Sequence, residues 1–251
     1  MSFESAAHRL GARVANFSGN SSTSLVKGES ILDTLRFLES MNPNLMVLRY
    51  SYAESVEAHI NGSPGTYINA GSGAYQHPTQ ALLDAFTIKE KTGKLKGTKV
   101  LFLGDVRHSR VANSNSRLLK SMGTEVGYCC PDFFAPTEED GIWSGARSFE
   151  KLKPALEWAD VCMVLRLQRE RHSEQTDQRI SEYVTYYQLN DETVKWLSPK
   201  AHIMHPGPFV PNEEITYSVV DDKRSLIFDQ AENGVFMRAA LLRQILMGEM
   251  A

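Results

Sequence analysis

Cysteine is scarce in this sequence, and long apolar runs are missing from it. Only three cysteines occur among 251 residues, at Cys129, Cys130 and Cys162, which is too few for a disulfide framework and favours a reducing, cytoplasmic setting. The apolar runs fall far short of the roughly 20 residues that a membrane-spanning helix needs. The first residues lack the basic-then-apolar pattern of a signal peptide. These absences argue against a disulfide-stapled secreted domain and against a membrane partner.

An excess of charge of either sign is also missing. The chain has 27 Lys and Arg against 30 Asp and Glu, a formal net charge of -3, so no nucleic-acid partner is expected. Hydrophobic residues make up 42% and charged residues 23%, which excludes a disordered tail, a collagen-like fibre and a coiled-coil rod. The length is suited to two domains.

Common ligand-binding and nucleophile motifs are missing as well. The apolar strand KVLFLGD (99–105) runs into VRHSRVANSN, without the glycines of a dinucleotide-binding fingerprint. A phosphate-binding P-loop and the G-x-S-x-G nucleophile motif are absent, which disfavours ATP chemistry and an α/β-hydrolase. No spacing of His, Cys or Asp indicates a metal site. These absences weigh against NAD and ATP chemistry and against a metal.

Short β-rich runs alternate with amphipathic helical stretches along the chain. This alternation is typical of βαβ units and predicts an α/β fold with mainly parallel sheets. The turn KTGKLKG (91–97) predicts the boundary between two domains. Strands are predicted at 13–18, 45–50, 66–71, 99–105, 125–130, 160–166 and 201–207, and helices at 3–10, 29–40, 78–91, 110–122, 148–159 and 232–250.

Cationic and polar residues follow one predicted strand after another. Because parallel strands bring their carboxyl ends to one edge of a sheet, these residues are expected to converge. Arginine binds carboxylate and phosphate groups through two parallel hydrogen bonds, and a helix N-terminus adds free N–H groups. The set predicts a polyanionic ligand, and it comprises Arg49, His77, Gln80, Arg107, Arg110, Arg166, Gln168 and His205.

Each member of this set has a simpler structural interpretation when it is taken alone. An arginine after a strand is most often a solvated surface residue, and His77 is equally well explained as a cap of the helix at 78–91. Asp105, which ends a strand, is more often a loop anchor than a base. Cys129 and Cys130 are best explained as core strand residues, and the Met and Phe residues of the last helix are best explained as core too. Only the whole set favours a ligand site.

Eight segments, in this order, closely resemble the catalytic chain of the aspartate carbamoyltransferase family. The most specific are HPTQALLD (77–84) and the GDxxxSRxxxS pattern that starts at Gly104. The sister ornithine carbamoyltransferases resemble the chain less, because they carry a Cys-containing HCLP motif in place of HPGP (205–208). The RLQ sequence at 166–168 likewise favours aspartate as the acceptor. The match spans the chain, at 2–12, 24–30, 45–50, 68–88, 103–115, 164–171, 205–208 and 233–242.

The resemblance implies a fold and a reaction. Two Rossmann-like domains with parallel sheets are expected: a carbamoyl-phosphate-binding domain at 1–93, completed by a helix at 232–251 that packs back on it, and an aspartate-binding domain at 94–231. The α-amine of L-aspartate would attack carbamoyl phosphate and give N-carbamoyl-L-aspartate and phosphate, a step of de novo pyrimidine biosynthesis. The family uses no metal or organic cofactor. Positioning and electrostatic stabilisation would supply the catalysis.

The resemblance also implies a role for each site residue. Arg49 and His77 would bind the carbonyl oxygen of carbamoyl phosphate and stabilise the oxyanion, and Gln80 would bind the carbamoyl amide. The backbone at Gly207 and Pro208 would accept hydrogen bonds from the carbamoyl NH2 and the incoming amine. The family is a homotrimer with shared active sites. L-Aspartate would be bound by Arg110, Arg166, Gln168 and, from the loop of the neighbouring subunit, Lys27.

The sequence departs from the family at its start. The family's phosphate-binding S-T-R-T-R motif precedes the SFE segment, whereas this chain begins at Met1-Ser2-Phe3. We expect a truncated N-terminal domain and weak or no activity of this chain alone. A fragment or mis-started gene model of an ordinary enzyme is the favoured explanation. A split enzyme and a noncatalytic partner of a full-length carbamoyltransferase stay open, as does assembly with a regulatory chain or dihydroorotase.

Overall fold

Two parallel β-sheets organise the chain, and each belongs to its own compact unit. One unit comprises Met1–Gly73 and Val235–Ala251, and the other comprises Ala74–Gly234. The expected α/β class with parallel sheets is confirmed. The computed structural model describes residues 1–17, 30–51, 54–137, 141–168 and 176–248.

The first unit holds a two-stranded parallel sheet. Leu48 pairs with Asn69, but Tyr50 pairs with Ser72, so the register shifts at Arg49. The elements of this unit are α1 (Ser2–Arg9), α2 (Ile31–Ser40), β1 (Met46–Tyr50), α3 (Glu54–Gly62), β2 (Tyr67–Ser72) and the part of the last helix that follows Gly234.

The first and last helices share the small core of this unit. Ala6 and Leu242 are buried together with Ile68 of β2. The guanidinium of Arg238 donates to the Ser2 hydroxyl across 3.0 Å, which adds a polar link to the apolar one. The prediction that the C-terminal helix packs on the N-terminal part of the chain is confirmed.

The second unit holds a five-stranded sheet in which every paired strand is parallel. Its elements are α4 (Pro78–Thr92), β3 (Lys99–Leu103), α5 (Arg110–Ser121), β4 (Glu125–Cys129), β5 (Arg147–Phe149), α6 (Leu152–Trp158), β6 (Val161–Val164), α7 (Thr176–Tyr186), β7 (His202–Met204), α8 (Tyr217–Val220) and the start of α9 (Ile227–Met247). The strand order is β5-β4-β3-β6-β7, so β3 lies in the middle.

The central strand β3 has apolar cores on both of its faces. Val100 and Phe102 belong to one core cluster, and Leu101 and Leu103 belong to the other. Successive side chains of a strand point to opposite faces, so a strand that is covered on both faces needs a continuous apolar run. The sequence KVLFL has that run, and it fixes β3 as the buried centre that positions the loops after the strands.

Several predicted elements differ from the structure. Residues 13–17 form no strand, and position 18 of that prediction lies outside the described residues. Residues 147–149 pair with β4 instead of starting a helix, and α6 begins at Leu152, which leaves Pro154 in a first turn where no N–H is needed. The helices α3 and α7 were not predicted, and α9 begins five residues early, at Ile227 rather than at 232.

The compact units divide the chain about one helix earlier than the predicted boundary at residue 93. Helix α4 falls in the second unit, because its buried face bonds to other elements of that unit. Asn115 of α5 donates to Asp84 across 2.8 Å, and Asn233 of α9 donates to Thr87 across 3.1 Å. The predicted domain ranges stay a prediction, and residues 74–93 are where the two divisions differ.

Candidate active site

Three polar loops lie side by side at one edge of the five-stranded sheet. Strand β3 pairs with β6, and β6 pairs with β7, all in the same direction. The segments that follow these strands, 104–109, 165–168 and 205–208, therefore leave the sheet at neighbouring carboxyl ends. This is the edge at which open parallel sheets bind ligands.

The loop after β3 is built around a buried carboxylate. Asp105 is fully buried, and its Oδ1 accepts from the His108 backbone N–H at 3.2 Å and lies 2.8 Å from His108 Nδ1. The interpretation of Asp105 as a loop anchor is confirmed. Ser109 then caps α5 by accepting from the Ala112 N–H at 3.2 Å. Arg110 is thereby placed, half-buried, at the first position of α5.

The loop after β6 is tied to the loop after β3. Gln168 Nε2 donates to the His108 carbonyl across 2.8 Å, so the amide nitrogen of a side chain predicted to assist aspartate binding is engaged within the protein. Arg166 is half-buried two residues earlier. The structure thus brings Arg110 and Arg166 to the ends of adjacent strands. Arg107, in contrast, is exposed.

The loop after β7 is fixed by a buried histidine. His205 Nδ1 accepts from the Gly207 N–H across 2.9 Å, so the ring carries its proton on Nε2 when it is neutral. That Nε2 lies 3.1 Å from Glu214 Oε1, which also accepts from the Val210 N–H at 2.7 Å. These bonds hold the turn at Gly207 (φ +64°) and Pro208. Glu214 is a buried support of this turn that the strand-end argument missed.

His77 occupies the N-cap position of the 15-residue helix α4, but its side chain does not make the capping bond. Its backbone N–H donates to the Ser114 hydroxyl of α5 across 2.8 Å. Pro78 follows at the first helical position, where a missing N–H costs nothing. The capping interpretation of the imidazole is therefore wrong.

One fully buried carboxylate, Asp84, joins the helix with the HPTQ sequence to the loop with the HPGP sequence. Its Oδ1 accepts from Gln80 Nε2 at 3.0 Å and from Gln230 Nε2 at 2.8 Å. Gln230 Oε1 in turn accepts from the His205 backbone N–H at 2.8 Å. Asn115 Nδ2 donates to Asp84 Oδ2 at 2.8 Å. Asp84, Asn115 and Gln230 were missed from the sequence, and the signal available was an acidic residue inside the apolar run ALLDAF.

The remaining predicted site residue with a described position, Arg49, lies in the first unit. Arg49 is exposed on β1 at the position where the register with β2 shifts. Lys27 lies outside the described residues.

The prediction of core Met and Phe side chains in the last helix is wrong for Phe236 and Met247, which are 50% and 66% exposed.

The three cysteines are core residues, as predicted for Cys129 and Cys130. All are buried with free thiols. Burial raises the pKa of Cys129 to about 12 and also raises the pKa of Cys130 and of Cys162, which keeps the thiols protonated and unreactive. Within the described ranges, no three His, Cys, Asp or Glu side chains group as a metal site.

None of the helices in the described ranges is both long and apolar enough to cross a membrane.

The chemistry at the sheet edge is cationic and polar. Two half-buried guanidinium groups, a helix N-terminus and a fixed turn with backbone acceptors suit a small anionic ligand that also donates hydrogen bonds.

Two family models match the sequence. Residues 1–90 match the carbamoyl-P binding domain of aspartate/ornithine carbamoyltransferase, and residues 96–245 match its Asp/Orn binding domain. The aspartate carbamoyltransferase catalytic subunit of Syntrophotalea carbinolica is 40% identical over 248 residues, which are 99% of this chain and 78% of that protein.

Solved structures of both acceptor classes resemble the chain. Aspartate transcarbamoylase from Trypanosoma cruzi, in complex with N-(phosphonacetyl)-L-aspartic acid, has a TM-score of 0.86 at 28% identity and covers 100% of this chain and 79% of its own. Ornithine carbamoyltransferase from Thermus thermophilus has a TM-score of 0.84 at 27% identity, and the match covers 98% of this chain and 80% of the Thermus chain. The fold is therefore common to both classes.

Proposed function

The chain belongs to the aspartate carbamoyltransferase family, and on that premise we propose that it transfers the carbamoyl group of carbamoyl phosphate to the α-amine of L-aspartate. The products are N-carbamoyl-L-aspartate and phosphate, and the reaction is a step of de novo pyrimidine biosynthesis. The names of the relatives lend no support to an inactive chain or to a noncatalytic partner.

The observation that carries this proposal is the pair of half-buried arginines at the ends of adjacent strands. Arg110 starts α5 after β3, and Arg166 follows β6. L-Aspartate has two carboxylates, and a planar guanidinium can bind each with two charge-assisted hydrogen bonds. L-Ornithine would place a side-chain ammonium near one of these cations, so the arginine pair favours aspartate.

The carbamoyl phosphate side of the reaction is assigned to the corner at the start of α4 and to the turn after β7. His77 and Arg49 bind the carbonyl oxygen, whose negative charge grows when the amine attacks. Gln80 and the carbonyl groups at Gly207 and Pro208 bind the NH2 group and the incoming amine. Fixed donors and acceptors of this kind lower the barrier because they need no reorganisation during the reaction.

The assembly is proposed to be a homotrimer in which each site receives Lys27 from the neighbouring subunit. The motivation is the resemblance of the segment 24–30 to the family's shared loop. A cation from a neighbour would add to Arg110 and Arg166 in balancing the charges of two anionic substrates.

The proposal is tested by measuring carbamoyl transfer to L-aspartate and to L-ornithine with the purified protein and two arginine variants. With carbamoyl phosphate as the donor, we expect product when L-aspartate is the acceptor and none when L-ornithine is the acceptor. Arg166→Ala should lower kcat/KM for L-aspartate by about 100-fold, because charge-assisted hydrogen bonds contribute roughly 1.5–3 kcal/mol each. Arg117→Ala is the matched control, since Arg117 is exposed on the same helix as Arg110, and it should change kcat/KM by less than about twofold.

Transfer to neither acceptor, or to L-ornithine in preference, would overturn the proposed function. Equal effects of Arg166→Ala and Arg117→Ala would leave the reaction standing but remove Arg166 from the site.

A further inference from the structure

The buried carboxylate of Asp84 touches two separate parts of the proposed carbamoyl site through amide side chains. On one side it accepts from Gln80 of the same helix, and on the other from Gln230 of α9. Gln230 continues to the His205 N–H at the start of the HPGP turn. Every residue of this chain of bonds belongs to the unit Ala74–Gly234.

An amide side chain has two chemically different ends, and its role depends on which end faces the ligand. A carboxylate oxygen can only accept hydrogen bonds. Asp84 therefore obliges Gln80 and Gln230 to turn their NH2 groups toward it. The carbonyl oxygen of each glutamine is thereby directed away from Asp84. For Gln230 this oxygen is the acceptor of the His205 N–H.

We propose that Asp84 is a positioning residue that selects the carbamoyl group over groups of the same shape without an N–H. It does so by presenting Gln80 Oε1 as an acceptor and by fixing the turn whose Gly207 and Pro208 carbonyls also accept. This inference rests on the proposed function, because it names how the same site recognises its donor substrate. Asp84 contacts no substrate itself and acts through the two glutamines.

The burial of this network explains why the amide groups of Gln80 and Gln230 keep one orientation. Asp84 is fully buried, Gln230 is 2% exposed and Gln80 is 8% exposed, so water is not available to replace a lost partner. Polar groups buried at this depth carry a high cost when they are unpaired. A flipped Gln80 would place its carbonyl oxygen against the Asp84 carboxylate, which is acceptor against acceptor.

The test compares carbamoyl phosphate with acetyl phosphate, which has a methyl group in place of the NH2. The measured quantity is the ratio of the Ki of acetyl phosphate, as a competitor, to the KM of carbamoyl phosphate. A merely structural defect would weaken both ligands alike and leave the ratio unchanged. Loss of the oriented acceptors weakens carbamoyl phosphate alone and lowers the ratio.

Asp84→Ala should lower this ratio by about tenfold, because the acceptors for the NH2 are no longer held. Asp84→Asn should retain most of the ratio, since its amide oxygen can still accept from both glutamines at the Oδ1 position. Its NH2 group then faces Asn115, which can turn its own unpaired Oδ1 toward that group. Gln230→Leu should lower the ratio by roughly threefold, because the turn at Gly207 and Pro208 loses its support while Gln80 keeps its bond to Asp84. It serves as the second variant if Asp84→Ala does not fold.

Asn233→Ala is the matched control. Asn233 lies one turn along α9 from Gln230 and also links this helix to α4, through bonds of 3.1 Å to Thr87 and Glu90. This variant should lower the thermal midpoint but leave the ratio at the wild-type value.

A folded Asp84→Ala protein with the wild-type ratio would overturn the inference, as would an unchanged ratio in Gln230→Leu where Asp84→Ala does not fold. A wild-type protein that transfers no carbamoyl group would overturn the proposed function and this inference with it. A wild-type protein that is active and discriminates, with variants that discriminate equally well, would overturn the inference alone.

Discussion

Gly104 is a residue at which the loop after β3 passes close to the loop after β6. Its φ is +127°, a region that side chains rarely adopt, and a Cβ atom there would lie 2.6 Å from the Leu165 carbonyl oxygen. Leu165 directly precedes Arg166. The absence of a side chain at Gly104 therefore sets the spacing of the two loops that carry the arginine pair.

Gly104→Ala should cost about 3 kcal/mol or more of unfolding free energy, because it adds a backbone clash to an unfavourable φ. It should also raise the KM for L-aspartate, since relief of the clash displaces Leu165 and with it Arg166. Gly93→Ala is the control, with a φ of +77° but no atom within 4 Å of the added Cβ, and it should cost about 1 kcal/mol. Urea denaturation and steady-state kinetics measure both effects, and equal costs would contradict the steric argument.

At the scale of residues, the sequence predicted which side chains stand at the strand ends better than it predicted the buried groups that hold the loops. Arg110 and Arg166 were predictable because a parallel sheet brings strand ends together. Asp84 and Gln230 were not, because 146 positions separate the bonded partners and nothing local marks the pair. A buried polar support is defined by distant contacts, whereas a strand end is defined by its own neighbours.

At the scale of elements, the start of β7 lies against the polar link between α4 and α9. Lys91 of α4 donates to Asp229 of α9 across 2.6 Å, and the hydrogen bond with Asp229 raises the pKa of Lys91. His202, the first residue of β7, has a lowered pKa, chiefly because of burial and further because of the Lys91 charge. The surroundings of His202 therefore favour its neutral form over its protonated form.

The His202 environment predicts that the second unit loses stability in mild acid. In the unfolded chain a histidine titrates near about pH 6.5, whereas in the folded chain the pKa of His202 is lower. Below about pH 6.5 the unfolded state therefore binds a proton that the folded state does not, and the free energy of unfolding decreases as the pH falls. Above that pH both states are neutral at this residue, and His202 adds no pH dependence.

His202→Asn should remove this part of the acid sensitivity, because asparagine does not titrate. The check is the free energy of unfolding from urea denaturation at about pH 7.5 and about pH 5 for both proteins. The variant should lose less stability than the wild type between the two values. Equal losses would show that His202 is not the source.

The same scale shows why the fold was largely predictable while its smaller elements were not. The buried strands β3, β4 and β6 are continuous apolar runs, and α4 has a proline start and a glycine end, with Gly93 at φ +77°. The short edge strand β5 has an exposed Arg147 and Ser148. Its sequence therefore lacks the alternation of apolar and polar residues that would have predicted a strand paired with β4. Tertiary pairing decides such segments, and local pattern does not.

At the scale of the whole molecule, the predicted domain ranges, which stay a prediction, and the two compact units of the structure divide the chain differently. The sequence places the boundary at the KTGKLKG turn, because glycines there end a helix. The contacts place it at Gly73, because α4 bonds to α5 and α9 through buried side chains. A turn marks where an element ends, but a unit ends where its buried bonds end.

The proposed homotrimer predicts that two inactive variants restore activity when their subunits are mixed. In Lys27→Ala the defect would lie in the neighbour's site, and in Arg166→Ala it would lie in the subunit's own site. After unfolding and joint refolding, about a quarter of the sites in random trimers would combine an intact Arg166 with an intact Lys27 from the next subunit. Activity should return to about that fraction of the wild type, and light scattering should give the mass of three chains. A mixture of Arg166→Ala with Arg110→Ala is the control and should stay inactive, since both residues belong to the same subunit's share of the site. If the first mixture also stays inactive while the trimer mass is found, Lys27 acts within its own subunit.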